Sequence, residues 1–361
     1  MKTCAHFLEC SGCAHHLDAK EPALWRRVKD FFDRPIPLIL ENRSGWRMRA
    51  RLAIRKNGLG SGALGLFRRN SHDLIEIPNC LAHHPAINRA AAFVQKEMGR
   101  LQIEPYDEVR QTGSLRYAQF FVCRESGLVQ LSLVSQEKRA AELLAERLWS
   151  QRDLWHSIWV NLNTSKSNAI LGSEWICLFG DPFLRQRIGK SQIAFHPASF
   201  SQAHLSLFDK LLEKVESWVE PNTRLLEVYA GAGAISLHLA PRLSSSVLVE
   251  ENPYSHLSYL ESGAPCSFSY HLGDAKEAVS FLDKADLILL DPPRKGVDPQ
   301  LLEALAAADK KQLIYISCSF DSFERDAKQL MASGWELQDA SGYWLFPGAD
   351  HIELATYWKK S

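Results

Sequence analysis

The chain has 361 residues, which is enough for about two domains. Hydrophobic residues make up 46% and charged residues 23%, an ordinary globular composition, while a formal net charge of zero alone argues against nucleic acid as a partner. No apolar run approaches the roughly 18 residues that span a bilayer, and no apolar signal-peptide core follows Lys2, so we expect a cytoplasmic protein.

Four cysteines form a spaced set in the first part of the chain. Cys4-x5-Cys10-x2-Cys13 is followed at a distance by Cys80. Disulfides are rare in cytoplasmic chains of this size, so a set of reduced cysteines indicates metal binding or catalysis. Four thiolates suit a [4Fe-4S] cluster and suit zinc equally, and the spacing alone does not separate the two.

Positive charge is concentrated near the amino terminus. The first 70 residues hold fourteen Lys or Arg and six Asp or Glu, a net charge of +8, with four arginines and a lysine in the stretch 47–56. A local basic face can follow a phosphate backbone although the whole molecule is neutral. A solvated strand with charged edges explains the same stretch equally well.

Residues 1–190 mix helix and strand patterns, which predicts an α+β domain. Along the arginine-rich stretch Met48, Ala50, Leu52 and Ile54 alternate with basic residues, as in a strand with one apolar face. The predicted elements are helices at 24–32 and 137–152, strands at 47–55 and 156–163, and a turn at 57–65.

Residues 191–361 alternate strands with helices, which predicts a parallel sheet with right-handed crossovers. The predicted strands are 224–229, 246–250, 267–272, 287–290 and 313–317, then an antiparallel pair near 335–345 and 351–358. This order is typical of a Rossmann-like class I methyltransferase domain. The predicted fold class is therefore α/β, with an α+β domain in front.

A glycine loop, Glu-Val-Tyr-Ala-Gly-Ala-Gly at 227–233, leaves the first of these strands. Gly231 and Gly233 would let the backbone approach a ligand that faces the helix amides, although a plain tight turn fits equally. Glu250 ends the next strand, where a carboxylate accepts ribose hydroxyls, and Asp274 ends the third, where it could meet an adenine amine. The alternative interpretation is that Glu250 and Asp274 are simply exposed acidic residues in loops.

The rival cofactor for such a loop is NAD. Its Gly-x-Gly-x-x-Gly fingerprint fails, because Ser236 occupies the third glycine position. A methyl donor fits better.

Reactive side chains follow the fourth and fifth strands. Asp291-Pro292-Pro293-Arg294 forms a rigid loop, and Cys318 ends the fifth strand beside the predicted pocket. Methylation of uracil C5 needs a thiolate that adds to C6 and a base that later removes the C5 proton. Glu353, at the start of the last strand, supplies a carboxylate. The remaining cysteines Cys123, Cys177 and Cys266 fit ordinary core positions.

These motifs resemble the bacterial RNA uracil-5-methyltransferase family, and most of all its iron–sulfur-containing 23S ribosomal RNA branch. The resemblance covers nearly the whole chain. It is carried by Phe200-Ser201-Gln202, the loop at 227–233, Glu250, Asp274, Asp291-Pro292-Pro293-Arg294, Ser317-Cys318 and His351-Ile352-Glu353.

The resemblance implies a role for each matched residue. Cys318 is the nucleophile, Glu353 the proton acceptor, and Asp291 contacts the uracil. S-Adenosylmethionine is held by Gln202, Tyr229, Gly231, Gly233, Glu250, Asp274 and Asp291. A [4Fe-4S] cluster on Cys4, Cys10, Cys13 and Cys80 braces the RNA-binding domain.

The same resemblance implies a monomer that acts on RNA, namely 23S ribosomal RNA, away from any membrane. Because the chain starts almost at Cys4, we expect no amino-terminal oligonucleotide-binding barrel. Contact with RNA then falls on residues 14–190 and on the rim of the methyltransferase domain.

Three positions depart from the family's usual sequence. Ser319-Phe320 stands where Asn-Pro is usual, Gly348-Ala349 where His-Thr is usual, and Phe200-Ser201-Gln202 where Phe-Phe-Gln is common. The four positions that carry the chemistry are intact.

Other functions remain as alternatives. The substrate could be tRNA, which the sequence does not separate from ribosomal RNA. An RNA cytosine-5 enzyme would carry a cysteine inside the proline loop, and an adenine-N6 enzyme an aromatic residue at Arg294. A non-enzymatic iron–sulfur protein that binds RNA or senses redox state is the last alternative, against which Cys318 and Glu353 argue.

Overall fold

The computed structural model describes residues 4–58, 60–165, 169–309 and 311–360. The chain forms two compact units, the first made of Met1–Asp18 and Asn42–Gln186 and the second of Ala19–Glu41 and Arg187–Ser361. The domain boundary predicted at residue 190 lies close to the boundary between Gln186 and Arg187. The prediction did not assign Ala19–Glu41 to the second unit. Within the described ranges, no helix is long and apolar enough to cross a membrane.

The elements are named here in chain order. The helices are α1 (Leu24–Phe31), α2 (Pro85–Arg100), α3 (Lys138–Trp149), α4 (Leu205–Ser217), α5 (Ala234–Leu239), α6 (Pro253–Glu261), α7 (Pro299–Ala307) and α8 (Phe320–Ala332), with 3-10 helices at Ala240–Arg242 and Ala275–Lys284. The strands are β1 (Leu38–Ile39), β2 (Arg49–Lys56), β3 (Gly62–Phe67), β4 (Leu74–Glu76), β5 (Leu115–Val122), β6 (Val129–Ser135), β7 (Trp155–Leu162), β8 (Glu174–Gly180), β9 (Leu184–Ile188), β10 (Ser191–Phe195), β11 (Thr223–Val228), β12 (Leu243–Glu250), β13 (Phe268–Leu272), β14 (Leu287–Leu290), β15 (Gln312–Ser317), β16 (Trp335–Tyr343) and β17 (Glu353–Lys360).

The first unit is built on a seven-stranded sheet of order β4-β3-β2-β5-β6-β7-β8. Neighbouring strands are antiparallel except β6 and β7, which are parallel and are joined through α3. The alternation predicted for β2 is confirmed, because Met48, Ala50, Leu52 and Ile54 are all buried. Helices α2 and α3 pack against the sheet.

The arginines on the other side of β2 are half-buried and contact neighbouring strands and loops. Arg51 donates to Gln119 Oε1 at 2.8 Å, and the Arg49 guanidinium lies 5.2 Å from the centre of the Phe121 ring. Arg55 pairs with Glu108. These arginine side chains are therefore held in place by their neighbours. They do not form a freely solvated basic edge.

The second unit contains an eight-stranded sheet of order β1-β16-β17-β15-β14-β11-β12-β13. Strands β11 to β15 are parallel to their neighbours within that group, and β17 runs antiparallel to both β15 and β16. The predicted α/β class and the terminal antiparallel pair are confirmed. A Rossmann-like methyltransferase sheet has this arrangement.

The register of this sheet brings six chain segments to one edge. Val228 pairs with Leu290, so the loops after β11 and β14 begin side by side. Ser317 pairs with Leu354, and because β17 is antiparallel its first residue stands beside the last residue of β15. The loops after β12 and β13 emerge at the same edge, where ligands of open parallel sheets bind.

Tight packing beneath the glycine loop depends on one glycine more than on the other. Gly233 has a φ of +75°, and a Cβ there would lie 2.9 Å from side-chain atoms of both Leu248 and Tyr259. Gly231 has a φ of +54°, and a Cβ there would meet nothing within 4 Å. The two positions share left-handed backbone but differ in available space.

We therefore predict that Gly233→Ala lowers the free energy of unfolding by roughly 2–5 kcal/mol, the sum of left-handed strain and overpacking. Gly231→Ala is the matched control and should cost only the strain, roughly 1–2 kcal/mol. Urea denaturation of the unliganded protein measures both. Equal losses in the two variants would show that packing at Gly233 contributes nothing.

Candidate active site

A cleft of about 500 Å³ opens at the edge where the strands end. It gathers nearly every residue that the sequence predicted for the site. Its lining includes Phe200, Gln202, Tyr229, Gly231, Glu250, Asp274, Asp291, Pro292, Pro293, Arg294, Cys318, Phe346 and Glu353. Gly233 is the one predicted site residue outside this lining, and it instead begins α5 beneath the loop.

The glycine loop is fastened to the neighbouring strand and to the proline loop. The amides of Tyr229 and Ala230 both donate to the Val249 carbonyl, at 2.9 and 3.2 Å. Tyr229 takes a φ of +65°, unusual for a residue with a side chain, and its hydroxyl accepts from the Asp298 amide at 2.9 Å. Strained backbone of this kind persists only where surrounding contacts fix it.

A buried carboxyl group supports the loop from below. Glu227 accepts hydrogen bonds from the amide of Ser236 at 2.9 Å and from its hydroxyl. Burial raises the pKa of Glu227 to about 8. Ser236, which stands at the third glycine position of the dinucleotide fingerprint, is thus the hydrogen-bond partner of Glu227. This contact was not predicted from the sequence.

Glu250 is held by the loop that it faces. Its two carboxylate oxygens accept from the Gly231 amide at 3.0 Å and from the Asn252 amide at 2.8 Å. A carboxylate has about four acceptor positions, so two remain for a ligand. The fixed orientation suits a diol, which offers two neighbouring hydroxyl donors.

Gln202 carries an unsatisfied acceptor at the cleft. The residue is 8% exposed, and its Oε1 is buried with no hydrogen-bond donor in the described part of the chain. A buried acceptor without a donor costs about 1–3 kcal/mol, which a ligand that donates there recovers. An ammonium group is one such donor.

Asp274 stands at the rim of the cleft with its side chain about 49% exposed. It caps the 3-10 helix Ala275–Lys284, accepting from the Lys276 amide at 3.1 Å, while Glu277 accepts from the Asp274 amide at 2.9 Å. This reciprocal pair fixes the turn. The free lone pairs of Asp274 are available to a ligand at the rim.

The reactive end of the cleft combines one thiol with two buried carboxyl groups. Burial and the charge of Glu250 raise the pKa of Asp291 to about 7, and burial and the charge of Asp291 raise that of Glu353 well above its usual range. Burial and the charges of Glu353 and Asp291 raise the pKa of Cys318 to about 12. Asp291 and Glu353 are therefore stronger bases in this cleft than free carboxylates are.

A cation opposes these negative charges. Arg294 lowers the pKa of Cys318, against the larger effects of burial and the carboxylates. Its Nη2 donates to His351 Nε2 at 3.1 Å, and burial together with this arginine lowers the pKa of His351. Both residues lay within motifs quoted from the sequence, but their contact was not predicted.

The turn between β16 and β17 carries one of the departures from the family sequence. Gly348 has a φ of +96°, a conformation that favours glycine, and the indole nitrogen of Trp344 donates to the Ala349 carbonyl at 2.8 Å. The turn places Phe346 and Glu353 in the cleft lining. Phe346 was not singled out in the sequence, because no spacing rule marks it.

The four spaced cysteines Cys4, Cys10, Cys13 and Cys80 lie near one another in the first unit. Burial, together with the charges of Cys80, Cys10 and Cys4, raises the pKa of Cys13 to about 11. The Gly12 amide donates to Cys10 Sγ at 3.3 Å. Within the described ranges, however, no group of three or more Cys, His, Asp or Glu side chains is arranged to hold a metal ion. The thiols are thus gathered without a formed ligand set.

No family model matches this sequence. An uncharacterised RNA methyltransferase of Protochlamydia amoebophila is 39% identical, and the match covers 99% of this chain and 97% of that protein. An uncharacterised RNA methyltransferase of Halalkalibacterium halodurans is 27% identical, with 98% of this chain and 81% of that protein covered.

Among solved structures, the tRNA (uracil-54, C5)-methyltransferase of Pyrococcus abyssi, in complex with S-adenosyl-L-homocysteine, has the same fold. The TM-score is 0.79 at 22% identity, over 92% of this chain and 81% of that one. From its extended similarity to the Protochlamydia protein, the chain belongs to the same family of RNA methyltransferases.

Proposed function

We propose that this enzyme transfers a methyl group from S-adenosylmethionine to C5 of a uridine in RNA, through a covalent bond between Cys318 and uracil C6. The observation that carries the proposal is the meeting of Cys318, Asp291 and Glu353 in one cleft. A thiol and a carboxylate are the two groups that this chemistry requires of the protein.

The other end of the same cleft fits the methyl donor. Glu250 can accept both ribose hydroxyls, and the unsatisfied Gln202 Oε1 can accept from the ammonium group of the methionine part. Asp274 at the rim is placed for the adenine amine. Tyr229 and Gly231 form the floor, with Gly233 contributing through the loop's shape. When bound, S-adenosylmethionine supplies the methyl group and leaves as S-adenosylhomocysteine.

The protein's own groups carry the protons. At neutral pH Cys318 is a thiol, so its proton must pass to a neighbouring base as the sulfur bonds to C6. Asp291, with a pKa of about 7, is matched to accept that proton while it contacts the pyrimidine edge. Arg294 stabilises the developing thiolate.

Glu353 acts after the methyl group has moved. Addition of sulfur to C6 leaves an electron pair at C5, which bonds to the methyl carbon. Glu353 then accepts the C5 proton, the C5–C6 double bond re-forms, and the sulfur leaves C6. The raised pKa of Glu353 makes its carboxylate a strong base. Burial, with 3% of the residue exposed, keeps water from competing for the proton.

For the cysteines of the first unit we propose a [4Fe-4S] cluster on Cys4, Cys10, Cys13 and Cys80. The four side chains are close enough for their charges to interact, and the Gly12 amide donates to Cys10 Sγ, which supports a group shared by all four. Arg69 also ties this loop together, since its guanidinium donates to the carbonyls of Phe7 and Cys13. The proposed role is to brace the RNA-binding unit, because methyl transfer needs no electron.

The proposed substrate is 23S ribosomal RNA and the proposed state a monomer, both on the sequence resemblance alone. Residues 14–190 and the rim of the cleft would contact the RNA. Arginines such as Arg49 and Arg51, held on β2, are candidates for phosphate contacts. Transfer RNA is the alternative substrate, and methylation of unmodified transcripts of each RNA decides between them.

The order of the two steps predicts different failures for two variants. Cys318→Ala should bind S-adenosylhomocysteine normally and form no product, because the first bond cannot form. Glu353→Gln should methylate the base but fail to release it, so the enzyme stays joined to methylated RNA. Denaturing gels with methyl-labelled donor measure this adduct. Turnover by Cys318→Ala would refute the assignment of the nucleophile.

The cofactor assignment predicts a loss of affinity in Glu250→Ala. Removal of a charged acceptor for two hydroxyls should weaken S-adenosylhomocysteine binding by roughly 1.5–3 kcal/mol, about 10- to 150-fold. Glu303→Ala, at an exposed acid on α7, is the control and should bind normally. Titration calorimetry measures both, and unchanged affinity in Glu250→Ala would remove that residue from the site.

The cluster assignment predicts that anaerobically purified protein is brown and contains about four irons per chain. Cys80→Ser should lose the iron and the visible absorption, whereas Cys266→Ser, at an exposed cysteine, should keep both. Metal analysis and absorption spectra provide the measurement. Stoichiometric zinc without iron would contradict the assignment.

A further inference from the structure

Helix α1 lies far from the methyltransferase motifs in sequence but packs within the same unit. It contacts two chain segments that enter the cleft, one carrying Glu353 and the other Cys318. We call these segments the base arm (residues 344–353) and the thiol arm (residues 318–323). From the sequence, α1 was predicted only to be a helix.

The base arm is attached to the first turn of α1. The Leu24 amide, an otherwise unsatisfied donor of the helix terminus, donates to Asp350 Oδ1 at 2.8 Å. Ala23 at the N-cap position has no side-chain acceptor, and the first turn contains no acidic residue. Asp350 therefore supplies from a distant segment the cap and the negative charge that this helix terminus favours.

The chain segment that carries α1 and β1 also contacts strand β16, which precedes the base arm, and Ile352 within the arm. Trp25 is 3% exposed, and its ring lies 2.5 Å from where a Cβ on Gly342 would stand, so β16 approaches the indole closely. Ile352, next to Glu353, belongs to the same buried core as Trp25. The Gly342 amide donates to the Pro37 carbonyl at 2.9 Å, which joins β1 to β16.

The thiol arm is contacted by the middle and the C-terminal end of α1. Phe31 packs edge-on against Phe320 and also approaches Phe323, each at 5.8 Å between ring centres. Arg27 donates to Asp321 at 2.9 Å, and its guanidinium lies 5.3 Å from the Phe320 ring centre. Phe320 stands two residues after Cys318, at one of the departures from the family sequence.

From these contacts we propose that α1 is a positioning element that sets the placement of Glu353 relative to Cys318, with Asp350 as its attachment to the base arm. The inference rests on the proposed function, since it concerns the proposed base and nucleophile. Because removal of the C5 proton needs a carboxylate aligned to better than about 1 Å, a looser base arm slows that step. Asp350 is a positioning residue, since it acts through the main chain that leads to Glu353.

The test compares Asp350→Ala with Asp350→Asn in the full chain, using methyl-labelled donor and an unmodified 23S ribosomal RNA transcript. Asparagine caps helix termini as well as aspartate does, so it should restore what alanine loses. Lys29→Ala is the control on the same helix, because Lys29 pairs with Glu21, which precedes α1 in sequence, and both side chains are half-exposed. Turnover, covalent RNA adduct, S-adenosylhomocysteine affinity and thermal midpoint are measured for each.

We expect Asp350→Ala to turn over roughly five- to tenfold more slowly and to accumulate adduct that carries the labelled methyl group. Its affinity for S-adenosylhomocysteine should stay within about twofold of the unsubstituted chain, since the contact lies outside the donor end of the cleft. Asp350→Asn and Lys29→Ala should behave like the unsubstituted chain.

Two results would overturn the positioning role. One is normal turnover without adduct in Asp350→Ala. The other is a loss of turnover accompanied by an equal loss of S-adenosylhomocysteine affinity or by the absence of methylated adduct, which would mean a general structural effect. Failure of the unsubstituted chain to methylate either transcript, and of Glu353→Gln to form an adduct, would instead refute the proposed function, and the positioning role with it.

Discussion

The antiparallel pairing of β17 with β15 is the constraint on which the candidate site depends. In a wholly parallel sheet β17 would begin at the opposite edge, far from the end of β15. Because β17 runs the other way, its register with β15 sets Leu354 opposite Ser317. The residues next to this pair, Glu353 and Cys318, therefore meet in one cleft although 35 positions separate them in the sequence.

The same placement concentrates negative charge in a poorly solvated region. Burial and the charge of Glu250 raise the pKa of Asp291, and burial and the charge of Asp291 raise that of Glu353. Burial and the charges of these two carboxylates keep Cys318 protonated. Burying these carboxyl groups together lowers the stability of the fold and raises their basicity, a combination that is common at sites of proton transfer. The surrounding core, with Leu290, Tyr315 and Trp358 almost wholly buried, offsets that cost.

In the first unit, the charged side chains of interest are basic and are held by neighbouring residues. The guanidinium groups of Arg51, Arg49 and Arg55 on β2 are held in place by Gln119, Phe121 and Glu108. Fixed side chains lose less rotamer entropy when they contact a phosphate backbone than free ones do.

The sequence by itself determined the alternation of strands and helices in the second unit, and hence the edge where Glu250, Asp274, Asp291 and Cys318 gather, because periodicity and strand-end motifs are local signals. Strands β5 and β6 escaped prediction, although residues 129–133 alternate apolar and polar side chains; both strands are buried along almost their whole length, so their polar residues are buried too. Only the tertiary structure decided that α1 joins the second unit, that Gln202 has a buried acceptor without a donor in the described ranges, and that Arg294 opposes the carboxylates. Contacts such as Leu24 with Asp350 join residues 326 positions apart, and no local pattern encodes a partner at that distance.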